Sequence, residues 1–185
     1  MLPAEIPRRH FDVDEYHRML EVGLLTEDDR VELIGGEIVE MTPIGSKHFA
    51  CVTNLSHVLV GQPRGRFFIS VQGSIYLDNG SEPDFALLKQ RPTQRDETIP
   101  SSEGVFALME VSDTALDYDR NVKLPLYAKA GVYGVWGVDP NGRKVEVHLQ
   151  PEGDTYREKR TFGRGEDAVS ATLDGLTVSV DEVFS

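Results

Sequence analysis

Two carboxylates in this chain lie where a surface explanation fits poorly. Asp84 opens the apolar run DFALLK directly after a turn, and Glu110 closes VFALME, the most apolar stretch of the chain. Burying a carboxylate in such surroundings costs on the order of several kcal/mol unless it is paired or bound to a cation. Sequential strands are usually neighbours, so the two carboxylates can converge at one sheet edge. Two hard oxygen ligands, a main-chain carbonyl and waters describe a magnesium or manganese site. Such an ion neutralises charge on a phosphoryl oxygen and activates bound water. Lys123, in the helix that follows, is the candidate cation to stabilise the transition state. The plainer alternative is that Glu110 forms a structural ion pair with Arg120 or Lys123. No P-loop, dinucleotide fingerprint, HExxH or GxSxG motif occurs.

The elements that must position these residues can be read from periodicity. Residues 12–25 carry Tyr16, Met19, Leu20 and Leu24 at helical spacing, with Asp12 or Asp14 as the cap. RVELIGGEIVEM (30–41) reads as a tight hairpin around Gly35-Gly36. Ser46 is placed to cap a second helix over 47–60. FFISVQGSIYL (67–77), DFALLK (84–89) and VFALMEVS (105–112) read as strands, the last covered on both faces. Residues 78–83 read as a turn and 90–104 as a loop. A helix over 118–130 ends at Gly131, and Pro125 inside it should kink or restart it. Strands at 132–139, 144–150, 155–162 and 176–180 complete a mixed α/β sheet with helices on its faces. Tyr127, Val132, Val135, Trp136 and Val138 read as core.

At 185 residues the chain is expected to form one domain, with residues 1–29 as a helical extension and a core of about 30–150. No apolar run approaches the ~20 residues of a membrane span, and the first residues do not look like a signal peptide. A single cysteine, Cys51, excludes an internal disulfide and a Cys-rich zinc site, so a reducing cytoplasmic setting is expected. The net charge of −12 is uneven. Residues 1–40 hold eleven acids and four bases, 165–185 hold five acids and no base, and 41–164 are neutral. The overall acidity opposes non-specific nucleic-acid binding, but a local basic groove in the middle of the chain is compatible with it.

ELIGGEIVEM (32–41), EPD (82–84), MEVSDTALDYDRNVKLPLYAKAGV (109–132) and VWGVDPNG (135–142) occur in that order. In this the chain resembles the Uma-type family of restriction endonucleases, within the PD-(D/E)XK nuclease superfamily. The resemblance covers about 30–185. It implies a restriction-endonuclease-like mixed sheet flanked by helices, with extra C-terminal hairpins. It also implies a metal-dependent nuclease using Mg2+ or Mn2+, with DNA as the expected substrate and a homodimer suited to cutting both strands. Residue by residue, the superfamily's aspartate falls on Asp84 and its acidic ligand on Glu110, and the Val111 carbonyl is a further ligand. The superfamily's E-x-K lysine would stand at Ser112, so the resemblance implies that Lys123 has taken over its role. Glu37 and His48 are the candidates for an early acidic or metal-binding residue. Gln72, on the strand before Asp84, could face the same cleft. Nucleic acid would then run along a face carrying Lys47, Arg64, Arg66, Lys89, Arg91 and Arg120. A catalytically silent binding or scaffold protein is the alternative, and hydrolysis of a small phosphoester is a third.

Overall fold

A computed structural model describes residues 8–41, 44–63, 65–77, 81–93, 99–113 and 118–185. The chain opens with helix α1 (Val13–Glu21). Its Asp12 and Glu15 form a reciprocal capping box, so two otherwise orphaned amides are satisfied. Strands β1 (Val31–Ile34) and β2 (Glu37–Glu40) then pair as a two-residue hairpin. Gly35 and Gly36 take φ of 59° and 81°, which only glycine adopts without strain and which matches the twist of a tight hairpin. Helix α1 packs on this hairpin through Val13, Tyr16 and Leu33.

Helix α2 (Ser46–Val60) follows. Ser46 does not cap it. Gly45 holds the cap position, because the helix start approaches Asp113 so closely that a Cβ at Gly45 would lie 2.8 Å from its carboxylate. Strand β3 is only Phe68–Val71. The expected extended run to residue 77 breaks at Gln72, whose φ is 50°, and a side chain at Gly73 would collide with Ser70.

Strands β4 (Phe85–Leu88) and β5 (Val105–Val111) form the centre. A π-helical turn (Asp119–Lys123) leads into helix α3 (Leu124–Lys129). The Leu124 amide reaches back five residues to the Asp119 carbonyl. Pro125 thus falls in the first turn of α3, where its missing N–H costs little, and the wide turn absorbs the restart expected from the sequence. Strands β6 (Gly134–Asp139), β7 (Lys144–Glu152) and β8 (Thr155–Phe162) extend the sheet. β9 (Asp167–Val169), β10 (Thr177–Ser179) and the short helix α4 (Val180–Val183) end the chain.

The main sheet has the order β3-β4-β5-β6-β7-β8. All pairs are antiparallel except β5 with β6, whose parallel pairing requires the crossover that carries the π turn and α3. One face of the sheet packs on α2 and the C-terminal elements through Leu55, Phe85, Met109, Trp136 and Val183. The other packs on α3 through Leu108, Tyr127, Val132 and Val135. Ala168, Leu176, Val178 and Val180 are buried in the first of these, so the core runs beyond residue 150 to the end of the chain.

Candidate active site

Asp84 stands immediately before β4, and Glu110 is the penultimate residue of β5. β4 and β5 are neighbours, with Phe85 opposite Met109, and this register brings the two carboxylates to one end of the sheet. Both line a cavity of about 360 Å3, and Lys123 from the π turn lines it too. Glu110 is 5% exposed and Lys123 7%.

Each side chain has a defined hold. Asp84 Oδ2 accepts a 2.8 Å hydrogen bond from the Val111 amide. His48, in the first turn of α2, meets the same carboxylate through Nε2, at 3.1 Å from Oδ1. The hydrogen bond to Asp84 raises the pKa of His48 against the opposing effect of burial. His48 Nδ1 is buried and has no hydrogen-bond partner among the described residues. The Lys123 ammonium lies 3.4 Å from Glu110 Oε1 and 3.2 Å from Glu32 Oε2. Burial alone would favour the neutral amine, but Glu110, Glu32 and Asp119 outweigh it and keep Lys123 charged far above neutral pH. Burial pushes Glu110 up to about 8, opposed by Lys123 and reinforced by the Asp84 and Asp119 charges.

Both hydrogen bonds of Glu110, from Lys123 and from the Tyr127 hydroxyl, fall on Oε1. Its second oxygen has no hydrogen-bond partner among the described residues. A buried carboxylate with one oxygen unspent, close enough to Asp84 for the two charges to oppose each other, is the donor chemistry that a hard divalent cation satisfies. Among the described residues no three His, Cys, Asp or Glu side chains gather to hold a metal by themselves. Two carboxylates, of Asp84 and Glu110, line the cavity beside Val111.

Four residues absent from the sequence-based set belong here. Glu32 of β1 is 3% exposed, holds Lys123 with one oxygen and accepts the Glu82 amide at 2.8 Å with the other. Glu82, Tyr118 and Asp119 also line the cavity. Asp119 accepts a 2.6 Å hydrogen bond from Ser112 Oγ. Tyr127, read as core, is fully buried, but its hydroxyl joins Glu110 to Ser81. The alternation in VELI could have revealed Glu32, because it shares a strand face with Ile34, an apolar residue that must also find cover. Four apolar side chains, Ile34, Val39, Met41 and Ile44, form another wall of the cavity.

The remaining sequence candidates are placed as follows. Gln72 lines the cavity, with its amide bonded to the Asp84 carbonyl at 3.0 Å. Ser112 is buried outside it and engaged with Asp119. Glu37 does not line the cavity. It shares the hairpin face of Glu32, since Glu32 pairs with Val39 and Ile34 with Glu37, but it stands at the turn end, where its carboxylate meets Arg8 at 3.0 Å. Lys47 also lies outside, donating to Asn141 at 2.6 Å. Arg120 points away from the cavity to Glu146, at 2.8 Å. The basic face proposed from residue order is thus not one surface around the cavity, and Arg64 lies outside the described residues.

The chain matches the Uma2 family profile, described as "Putative restriction endonuclease", over residues 13–181. No curated protein matches it. Among solved structures it is similar to one described as a putative nuclease belonging to DUF820 from Anabaena variabilis ATCC 29413. The TM-score is 0.68 at 18% identity, covering 94% of this chain and 97% of that one. At that identity the likeness concerns the fold, and it agrees with the mixed six-stranded sheet and flanking helices. With the profile running from α1 to α4, the chain belongs to the Uma2 family of putative restriction endonucleases.

Proposed function

We propose that this chain is a metal-dependent phosphodiesterase of nuclease type, cutting DNA internally. Asp84, Glu110 and the Val111 carbonyl would hold Mg2+ or Mn2+. There the ion supplies a lowered pKa for bound water and charge compensation at a phosphoryl oxygen. The residues of the chain do the rest. Val111 N–H and His48 fix the orientation of Asp84. Lys123, kept charged by Glu110 and Glu32, offers a fixed cation to the negative charge that grows on the attacked phosphate. Ile34, Val39, Met41 and Ile44 keep one side of the cavity dry, which strengthens those interactions.

The observation that carries this reading is the meeting of Asp84, Glu110 and Lys123, from three separate segments, around one cavity. Plasmid cleavage titrated with magnesium or manganese tests it, with Asp84→Ala and Lys123→Ala alongside. Cleavage by the wild type and its loss in both variants is the expected result. Wild type and variants behaving alike would end the nuclease reading. A catalytically silent binding module is the rival. It is favoured by the engagement of Lys123 with two carboxylates and by Ser112 where the superfamily pattern has lysine. The same assay separates the two.

A further inference from the structure

Outside the cavity a cluster of positive charge lies on the same face of the sheet as Glu110. The register pairs Glu110 with Gly137, and Gly137 with Glu146, so these residues form one row across β5, β6 and β7. Glu146 is 3% exposed, and three cations converge on it. Arg120 lies 2.8 Å away, Lys144 3.2 Å and Lys159 3.2 Å. Lys144 also approaches Asp139, at 3.9 Å. Burial would raise the Glu146 carboxyl, but hydrogen bonds from Lys159, Lys144 and Arg120 hold it down at about 2.

A buried carboxylate needs about one opposite charge, and here it has three. Even with Asp139 counted, the cluster is net positive within a chain of net charge −12. The cations are not sealed in. The side chains of Arg120 and Lys144 are each 33% exposed and that of Lys159 is 50%. An ammonium has three donors, and one on Glu146 leaves others for a ligand. Glu146 therefore acts as a pedestal that holds mutually repelling cations side by side. Two strand spacings, about 10 Å, separate the backbone at Glu146 from that at Glu110. Phosphates of one duplex strand advance by ~3.4 Å per step along the helix axis, so this corresponds to roughly three nucleotides measured along that axis.

From this we infer that Arg120, Lys144 and Lys159 form a phosphate-backbone contact for nucleic acid, about three nucleotides from the bond at the Asp84–Glu110 cavity. This rests on the nuclease reading for the second half of that statement and on the cluster's own geometry for the first. The partner is a polyanion of regular spacing, and sequence discrimination is not assigned to this contact.

Binding of a fluorescein-labelled DNA duplex by anisotropy tests it, with EDTA present so that cleavage does not enter. Full-length wild type is compared with the double variant Lys144→Gln/Lys159→Gln across a salt series. We expect at least about a tenfold weaker Kd in the double variant and a salt slope smaller by about 2 in magnitude, for two lost phosphate contacts. Lys159→Arg should bind as wild type. Arg160→Gln, on the other face of β8 and paired with Glu158, should leave both affinity and slope unchanged. Should the double variant fail to fold by circular dichroism, Lys159→Gln alone, which leaves Glu146 two cations, should show half the slope change. An unchanged slope in the folded variant, or wild type without salt-dependent binding, overturns the inference. If the variant loses binding but wild type cuts no DNA with Mg2+ or Mn2+, the contact stands and the catalytic reading fails. If wild type cuts and the variant binds normally, the contact fails and the catalytic reading stands.

Discussion

Lys123 separates two acids that are almost fully buried. Without it, Glu32 and Glu110 would face each other in a low-dielectric pocket with Asp119 close by. Removing one member of a buried charge cluster is more costly than replacing the whole cluster by apolar groups. Lys123→Met should therefore lower stability by about 3 kcal/mol in urea denaturation at neutral pH, besides abolishing any plasmid cleavage. A loss under about 1 kcal/mol would mean that the carboxylates simply take up protons at little cost. Glu146 gives the opposite pH behaviour. Its folded-state pKa, about 2, lies below the ordinary glutamate value of 4.5. Its contribution to stability is thus fully present above about pH 4.5 and is lost as the pH falls towards 2. Glu146→Gln should melt below wild type at pH 7, and the gap should narrow steadily between pH 4.5 and pH 2. A gap independent of pH in thermal melts would show that the charge of Glu146 is not what matters.

The elements that carry the site are unusual ones. The β1–β2 hairpin supplies Glu32, Ile34 and Val39 to the cavity, and its turn depends on Gly36. There φ is 81°, and a Cβ would stand 2.6 Å from the Cβ of His10. Gly36→Ala should cost at least about 1–2 kcal/mol from backbone strain alone, read by thermal melting. Gly35→Ala meets no neighbour within 4 Å and should cost only the strain. If Gly35→Ala proved the more damaging, the contact with His10 would be irrelevant. The π turn matters in another way. It adds one residue to a helical turn, and π turns recur at functional sites because they re-aim side chains. Asn121 is exposed within it. Deleting Asn121 would convert the turn to ordinary α geometry and rotate Asp119 and Arg120 by about 100° relative to Lys123. We expect the deletion to keep the fold by circular dichroism and lose cleavage. Retained cleavage would show that Lys123 alone, without Asp119, suffices.

At the scale of the whole molecule, the sheet is covered on both sides, and the C-terminal strands are part of one cover. Leu173, Leu176, Val178 and Val183 pack with Leu55 and Leu59 of α2, the helix that presents His48. Truncation after Phe162 would uncover this core, so the shortened chain should be insoluble or bind a hydrophobic dye such as ANS. A cooperative melt of the truncated chain would show that β9, β10 and α4 are an addition rather than a cover. No helix among the described residues is long and apolar enough to cross a membrane. The acidic excess at both ends of the sequence is compatible with a local positive cluster because charge acts over about a Debye length, ~8–10 Å, and not over the chain.

The amino-acid sequence by itself determined the order of the elements from α1 to β8, the Gly-Gly hairpin, the doubly covered β5 and the restart of the helix at Pro125. These follow from periodicity and backbone chemistry, which are local. It also pointed to Asp84, Glu110 and Lys123, since a carboxylate at the end of an apolar run demands a partner wherever the chain goes. Glu32 was missed and Glu37 chosen in its place: the two share one face of the hairpin, and only tertiary packing brings the Glu32 end to Lys123 and leaves Glu37, beside the turn, to Arg8. Arg120 and Lys47 were read as nucleic-acid contacts; neither lines the cavity, Arg120 reaching Glu146 and Lys47 reaching Asn141. Only the tertiary structure decided these, since which charges meet depends on strand order and on the one-residue phase of each side chain. Neither is encoded within a short segment.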